Sequence, residues 1–153
     1  MALEKADVKV KLGAPVEKIW SAAKKIGVLM PKILPDVFSS CDVVGDGGPG
    51  TIRVYHCGPA IQEGLKIRER IDEVDEASHS ICYTVLEGDP RYKSMRATIR
   101  YVSSDDGATS TAVFNAEYEI DDSEEGFSDE ITEMISLMQI SLSEYVLNNS
   151  DVK

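Results

Sequence analysis

Glu69 is the residue whose chemistry most needs a purpose. It stands between Ile67 and Ile71 in a run where apolar and charged residues alternate, so a strand would aim it inward with them. Burying a lone carboxylate costs about several kcal/mol unless it is paired or protonated. Two uses fit. Glu69 can anchor an NH or OH of a small molecule, with Tyr83 or Tyr101 as further hydrogen-bond donors. It can equally close an ion pair with an arginine such as Arg53.

Other candidate chemistry is weaker. The run Gly45–Ile52, GDGGPGTI, has the glycine density of a phosphate cradle. A P-loop needs Lys and then Ser/Thr after its last glycine, because the ammonium must reach the phosphates. Here Gly50 is followed by Thr51 and Ile52, and strand patterns flank the run on both sides, so no helix dipole is offered. Gly45, Gly47, Gly48 and Gly50 with Pro49 therefore predict a rigid hairpin turn. His56 and His79 are too few and too far apart for a metal site, and His79 falls in a turn, where solvent exposure is expected. Cys41, Cys57 and Cys82 are odd in number and widely spaced, with no C-x-x-C. They predict three reduced, partly buried thiols of a cytoplasmic protein and no zinc or disulfide framework. No metal and no cofactor is expected.

The chain has 153 residues, 42% of them apolar, which suits one domain spanning 1–153 with a sizeable core. Its formal net charge is -11, from 27 acidic and 16 basic residues. With the basic residues scattered, such a surface repels phosphates and anionic lipids, so nucleic acid and membrane are poor partners. No apolar run approaches the roughly 18 residues of a membrane helix, and Met1–Val10 has no apolar signal core.

The elements that must position these residues follow from hydrophobic period. Asp7–Leu12 alternates as a half-buried strand, and Gly13-Ala14-Pro15 breaks it. Pro15 suits a first helical turn, with Val16, Ile19, Trp20 and Ala23 at helical spacing and Trp20 in the core. Pro31 and Pro35 bracket a short second helix carrying Leu29, Ile33 and Leu34. Strands are then expected at Ser40–Val44, Thr51–Cys57, Leu65–Val74, Ile81–Leu86, Met95–Val102 and Thr111–Ile120, joined by turns such as Asp105-Asp106-Gly107. Finally Phe127, Ile131, Met134, Ile135, Met138, Leu142 and Tyr145 form one stripe of a long helix after the acidic lead-in Asp121–Glu130. Asp129, Thr132, Glu133, Ser136 and Ser143 point elsewhere. The fold class is α+β: an antiparallel sheet that curls, with the long helix on its concave side.

GDGGPGTI at Gly45–Ile52, IDEVD at Ile71–Asp75, YTVLEG at Tyr83–Gly88 and EYVL at Glu144–Leu147 resemble, in the same order, the Bet v 1 / pathogenesis-related class 10 family of plants. The resemblance covers essentially the whole chain. It implies the helix-grip fold, a curved seven-stranded antiparallel sheet wrapped around a long C-terminal helix, and a cavity for apolar or amphipathic small molecules such as cytokinins and flavonoids. It also implies a cytoplasmic, stress-responsive protein, expected here to act as a monomer.

The wall expected of such a cavity comprises Phe38 and Tyr55; Ile67, Glu69 and Ile71; Ile81, Tyr83 and Val85; Met95, Ala97, Ile99 and Tyr101; Phe114 and Ala116; and Ile131, Met134, Ile135, Met138 and Leu142. The small Ala97, Ala112 and Ala116 suggest a sheet face that is not uniformly filled. Met134 and Met138 are soft surfaces suited to varied guests. Side chains of Phe127–Tyr145 packed solid against the strands would leave no room for one.

Two other activities occur in the superfamily. Norcoclaurine synthase is similar around the glycine loop and places a catalytic carboxylate where Glu87 stands, but it also uses a cavity lysine, and no lysine is on the inward list. The abscisic-acid receptors resemble this chain at SCDVV, Gly58-Pro59-Ala60 and GDPRYK. The gate leucine and latch histidine are missing, and Pro35-Asp36 stands near the place of their carboxylate-clamping lysine. Carriage of a small apolar ligand, without catalysis, is the expected function.

Overall fold

The structure, a computed structural model, describes residues 3–120 and 129–149. In chain order these form β1 (Glu4–Leu12), α1 (Val16–Ala23), α2 (Ile26–Ile33), β2 (Phe38–Val44), β3 (Ile52–Cys57), β4 (Lys66–Asp75), β5 (Ser80–Glu87), β6 (Tyr92–Ser103), β7 (Ser110–Ile120) and α3 (Asp129–Asn148). The seven strands make one sheet in the order β1-β7-β6-β5-β4-β3-β2, every neighbour antiparallel. This is the helix-grip fold. Phe127 and most of the acidic lead-in lie outside the described residues.

Alternation sets the register. In β1 every second residue from Ala6 to Leu12 is buried, and pairing of Val8 with Phe114 and Val10 with Ala112 carries that face onto β7. β4 contains two irregularities, between Arg68 and Glu69 and between Ile71 and Glu73. Bulges of this kind bend a strand and increase its twist, which helps the sheet curl. They also shift the alternation of β4: after Ile71 the next inward residue is Val74, while Asp72 stays beside exposed Arg70 and accepts hydrogen bonds from Arg70 and Thr84.

Three local expectations need correction. The second helix begins at Ile26 and contains Pro31, instead of lying between the two prolines. Proline forfeits one backbone bond there, but burial of Ile26, Leu29 and Met30 holds this eight-residue helix, since tertiary packing outweighs backbone propensity in short helices. His79 is half-buried, not exposed, because its ring meets the edge of Trp20 at 5.5 Å. Ser143 is buried, since its hydroxyl accepts the Ala14 N–H at 3.1 Å. No helix among the described residues is long and apolar enough to cross a membrane.

Candidate functional site

Between the sheet and the first half of α3 lies a cavity of about 650 Å³. Its wall is built element by element. β3 contributes Arg53 and Tyr55, β4 Ile67 and Glu69, and β5 Ile81, Tyr83 and Val85. β6 contributes Met95, Ile99 and Tyr101, β7 Phe114, and β2 Phe38. α3 closes the other side with Ile131, Met134, Ile135, Met138 and Gln139. The period of two in strands and 3.6 in the helix is what delivers these side chains to one lumen.

Four expected wall residues lie elsewhere. Ile71, Ala97, Ala116 and Leu142 are buried in packed core and do not reach the cavity. Ala97 and Ala116 pair across β6 and β7, and Ala97 also faces Tyr83 across β5. Their small side chains let neighbours close in, so they mark the solid part of the interior. Leu142, fully buried, sits one turn beyond the stretch of α3 that faces the hollow.

The floor of the cavity is polar. Arg53 Nη2 donates to Glu69 Oε1 at 2.7 Å, and both side chains are buried. The Arg53 guanidinium carbon lies 5.5 Å from the Tyr83 ring centroid, a cation–π contact. Tyr101 donates its hydroxyl to Gln139 Oε1 at 2.7 Å. Of the two uses foreseen for Glu69, the ion pair with Arg53 is present, and the same carboxylate also faces the lumen. Burial raises the Glu69 carboxyl above its ordinary value, and Arg53 opposes that rise. Burial also works against the Arg53 charge, but the Glu69 carboxylate hydrogen-bonded to it favours that charge, and the guanidinium stays protonated. Burial pushes the hydroxyls of Tyr55, Tyr83 and Tyr101 well above the usual tyrosine range, so all three are neutral.

Arg53 as a wall residue is what sequence reasoning missed, although it had been named as an alternative partner of Glu69. The signal was there: a strand that aims Tyr55 inward aims Arg53 inward too. Gln139 was also missed, because a polar letter in an amphipathic helix reads as a solvent position. The rim comes largely from loops that carry no period. It includes Ala60, Ile61 and Gln62 after β3, and Glu87, Gly88, Asp89, Pro90 and Lys93 around the β5–β6 turn. The loop after β3 is tied to the segment after α2, with Gly58 N–H donating to Val37 O and Ala60 N–H to Asp36 O. A Cβ on Gly58 would fall 2.5 Å from Asp36 O, which reserves that position for glycine.

The glycine loop stays away from the cavity. It joins β2 to β3; Gly47 N–H donates to Thr51 Oγ1 and Gly48 N–H to Asp46 Oδ1, each at 2.9 Å, while Gly50 N–H donates to Ile71 O on β4 at 2.7 Å. Gly45 and Gly47 have φ of 130° and 97°, conformations that favour glycine. The three cysteines are free, and burial pushes the Cys41 thiol up to about 11. No cluster of metal-ligating side chains occurs among the described residues.

Fold and cavity together define a helix-grip protein with a lumen able to enclose a small molecule. Comparison with known proteins narrows this. The polyketide cyclase / dehydrase and lipid transport family matches residues 4–142. The Dau c 1.0401 isoallergen of Daucus carota subsp. sativus is 29% identical over 75% of this chain and 79% of its own length. Major allergen Mal d 1 of Malus domestica is 45% identical over 62 residues, 40% of this chain and 38% of its own length. The structure of norcoclaurine synthase from Thalictrum flavum, in complex with dopamine and hydroxybenzaldehyde, superposes with a TM-score of 0.79 at 19% identity, covering 97% of this chain and 88% of that one. The chain belongs to the polyketide cyclase / dehydrase and lipid transport family, and within it to the Bet v 1 / pathogenesis-related class 10 group.

Proposed function

We propose that this protein is a non-catalytic, monomeric carrier of a small apolar or amphipathic molecule, such as a cytokinin- or flavonoid-like metabolite, held between the sheet and α3. The observation that carries this reading is the cavity of about 650 Å³, walled mainly by aliphatic and aromatic side chains. Pockets of that size bury most of a small ligand's surface, and each Å² of apolar area removed from water contributes about 25 cal/mol. Ordering of ligand and wall opposes this gain. The loop that includes Ala60–Gln62 and the turn around Gly88–Pro90 contribute to the rim, past which a ligand would enter.

The test is direct. An apolar fluorescent dye should brighten on entering the lumen, and a panel of cytokinins, flavonoids and steroids should displace it, with calorimetry giving stoichiometry. A protein that takes up no dye and no member of the panel would rule the carrier out.

A second reading, an enzyme of the norcoclaurine-synthase kind, is favoured by one observation. Lys93 and Glu87 both line the cavity, so a lysine shares it with the carboxylate that the resemblance singles out. Both are exposed at the rim, which is a poor setting for general acid–base work in a dry site. Condensation of an arylethylamine with an aryl aldehyde, lost in Lys93→Met, would establish it.

A further inference from the structure

We infer that the lumen selects a ligand bearing a neutral carbonyl oxygen, such as a ketone or lactone, over its carboxylate counterpart. The inference rests on the carrier reading and specifies what is carried.

Arg53 is 6% exposed and lines the cavity. A guanidinium offers five N–H donors. Among the described residues Arg53 makes one hydrogen bond, the 2.7 Å contact with Glu69; its Nε is sealed away without a partner, so only the terminal nitrogens can reach a guest. A buried charged group with most of its donors unmet calls for acceptors from whatever fills the lumen. The stem of Arg53 lies against α2, its Cδ 3.3 Å from the place of a Cβ on Gly27, so the terminal nitrogens are left to meet a ligand. Tyr101 has already committed its proton to Gln139. Arg53 is therefore the charged donor around which a guest would be oriented, beside the neutral hydroxyls of Tyr55 and Tyr83 on the same wall.

Charge decides which acceptor. Glu69 already cancels the charge of Arg53 at 2.7 Å. A ligand carboxylate would be drawn to the guanidinium and repelled by Glu69 from nearly the same distance, leaving its own desolvation unrecovered. A carbonyl oxygen presents the same lone pairs at far smaller desolvation cost. The rim adds to this bias: Glu87, Asp89, Glu130 and Glu133 still outnumber Lys93 and Arg91, which pairs with Asp89 at 2.6 Å, so an entering anion meets a net negative collar. A hydrocarbon without an acceptor would displace solvent from Arg53 and replace none of its bonds.

Three ligands of one shape test this: fluorene, fluorenone and fluorene carboxylate, each titrated against bound N-phenyl-naphthylamine. One hydrogen bond to a charged group predicts that fluorenone displaces the dye at roughly tenfold lower concentration than fluorene. The carboxylate should bind no better than fluorene. In the double variant Arg53→Met/Glu69→Leu, which removes the pair together and leaves no unpaired charge, fluorenone and fluorene should become equal. Tightest binding by the carboxylate would overturn the inference. So would a ketone advantage that persists in the double variant, or one absent from the unmodified protein while fluorene still binds. If neither dye nor fluorene enters, the carrier reading falls and this inference falls with it.

Discussion

Along α3, Met134 and Met138 face a hollow, whereas Leu142 and Val146, further along the same stripe, are 0% and 2% exposed in packed core. The helix residues do not make this difference, for all are medium-sized apolar side chains. What changes is what approaches from the other side. The second half of α3 meets the loop between β1 and α1: Ser143 accepts the Ala14 N–H, and Leu147 Cδ1 lies 3.5 Å from the place of a Cβ on Gly13. The first half looks across the cavity toward β3, β4 and β5, and Ala23 and Ile26 of α1 and α2 line the same cavity. One amphipathic stripe thus serves as a wedge at one end and a roof at the other.

The strongest challenge to a soft, tolerant hollow is Arg53. Replacing it with Met leaves the Glu69 carboxylate buried and unpaired, at a cost of about 3–5 kcal/mol at neutral pH, read by denaturant unfolding. The pH sign is fixed by the raised pKa of Glu69. A folded carboxyl that holds its proton where the unfolded one has released it loses stability as pH rises. The deficit of Arg53→Met should therefore shrink as pH falls toward the ordinary glutamate range. A deficit independent of pH would mean that Glu69 is not the group left stranded.

The comparison itself is tested next. Leu142→Ala removes packed atoms and should cost about 2–5 kcal/mol, whereas Met138→Ala, already facing space, should cost under about 1 kcal/mol and change ligand affinity instead. Equal losses from the two, measured by thermal or urea unfolding, would erase the distinction between wedge and roof. An effect between those two is expected outside both regions. Gly47→Ala meets no neighbouring atom but forces a side chain onto φ 97°, costing about 1–2 kcal/mol with dye affinity unchanged. A change in affinity would bring the glycine loop into the site.

Period made most of the fold and much of the wall legible. Alternation placed Tyr55, Ile67, Glu69, Tyr83 and Ile99 on one face, and the 3.6-residue stripe placed Met134 and Met138 opposite them. Period could not tell a wedge from a roof, because Leu142 and Met138 occupy equivalent places in the pattern and differ only in what comes near them. Nor could it find buried polar residues whose partners are remote in sequence: Gln139 is inside because Tyr101 donates to it, and Ser143 because Ala14 does. Helix α2 was misplaced because proline's local cost was weighed without the tertiary burial that outweighs it.

The pairing of β1 with β7 has a kinetic consequence. Asp7 and Asn115 are hydrogen-bonded across a separation of 108 residues, and β7 is the strand that carries the sheet from β6 to β1. Closing so long a loop carries an entropic penalty before any long-range contact offsets it, which slows folding of non-local topologies. During synthesis the first strand must therefore wait, edge exposed, until β7 has emerged, and the wedge half of the interior can set only after that.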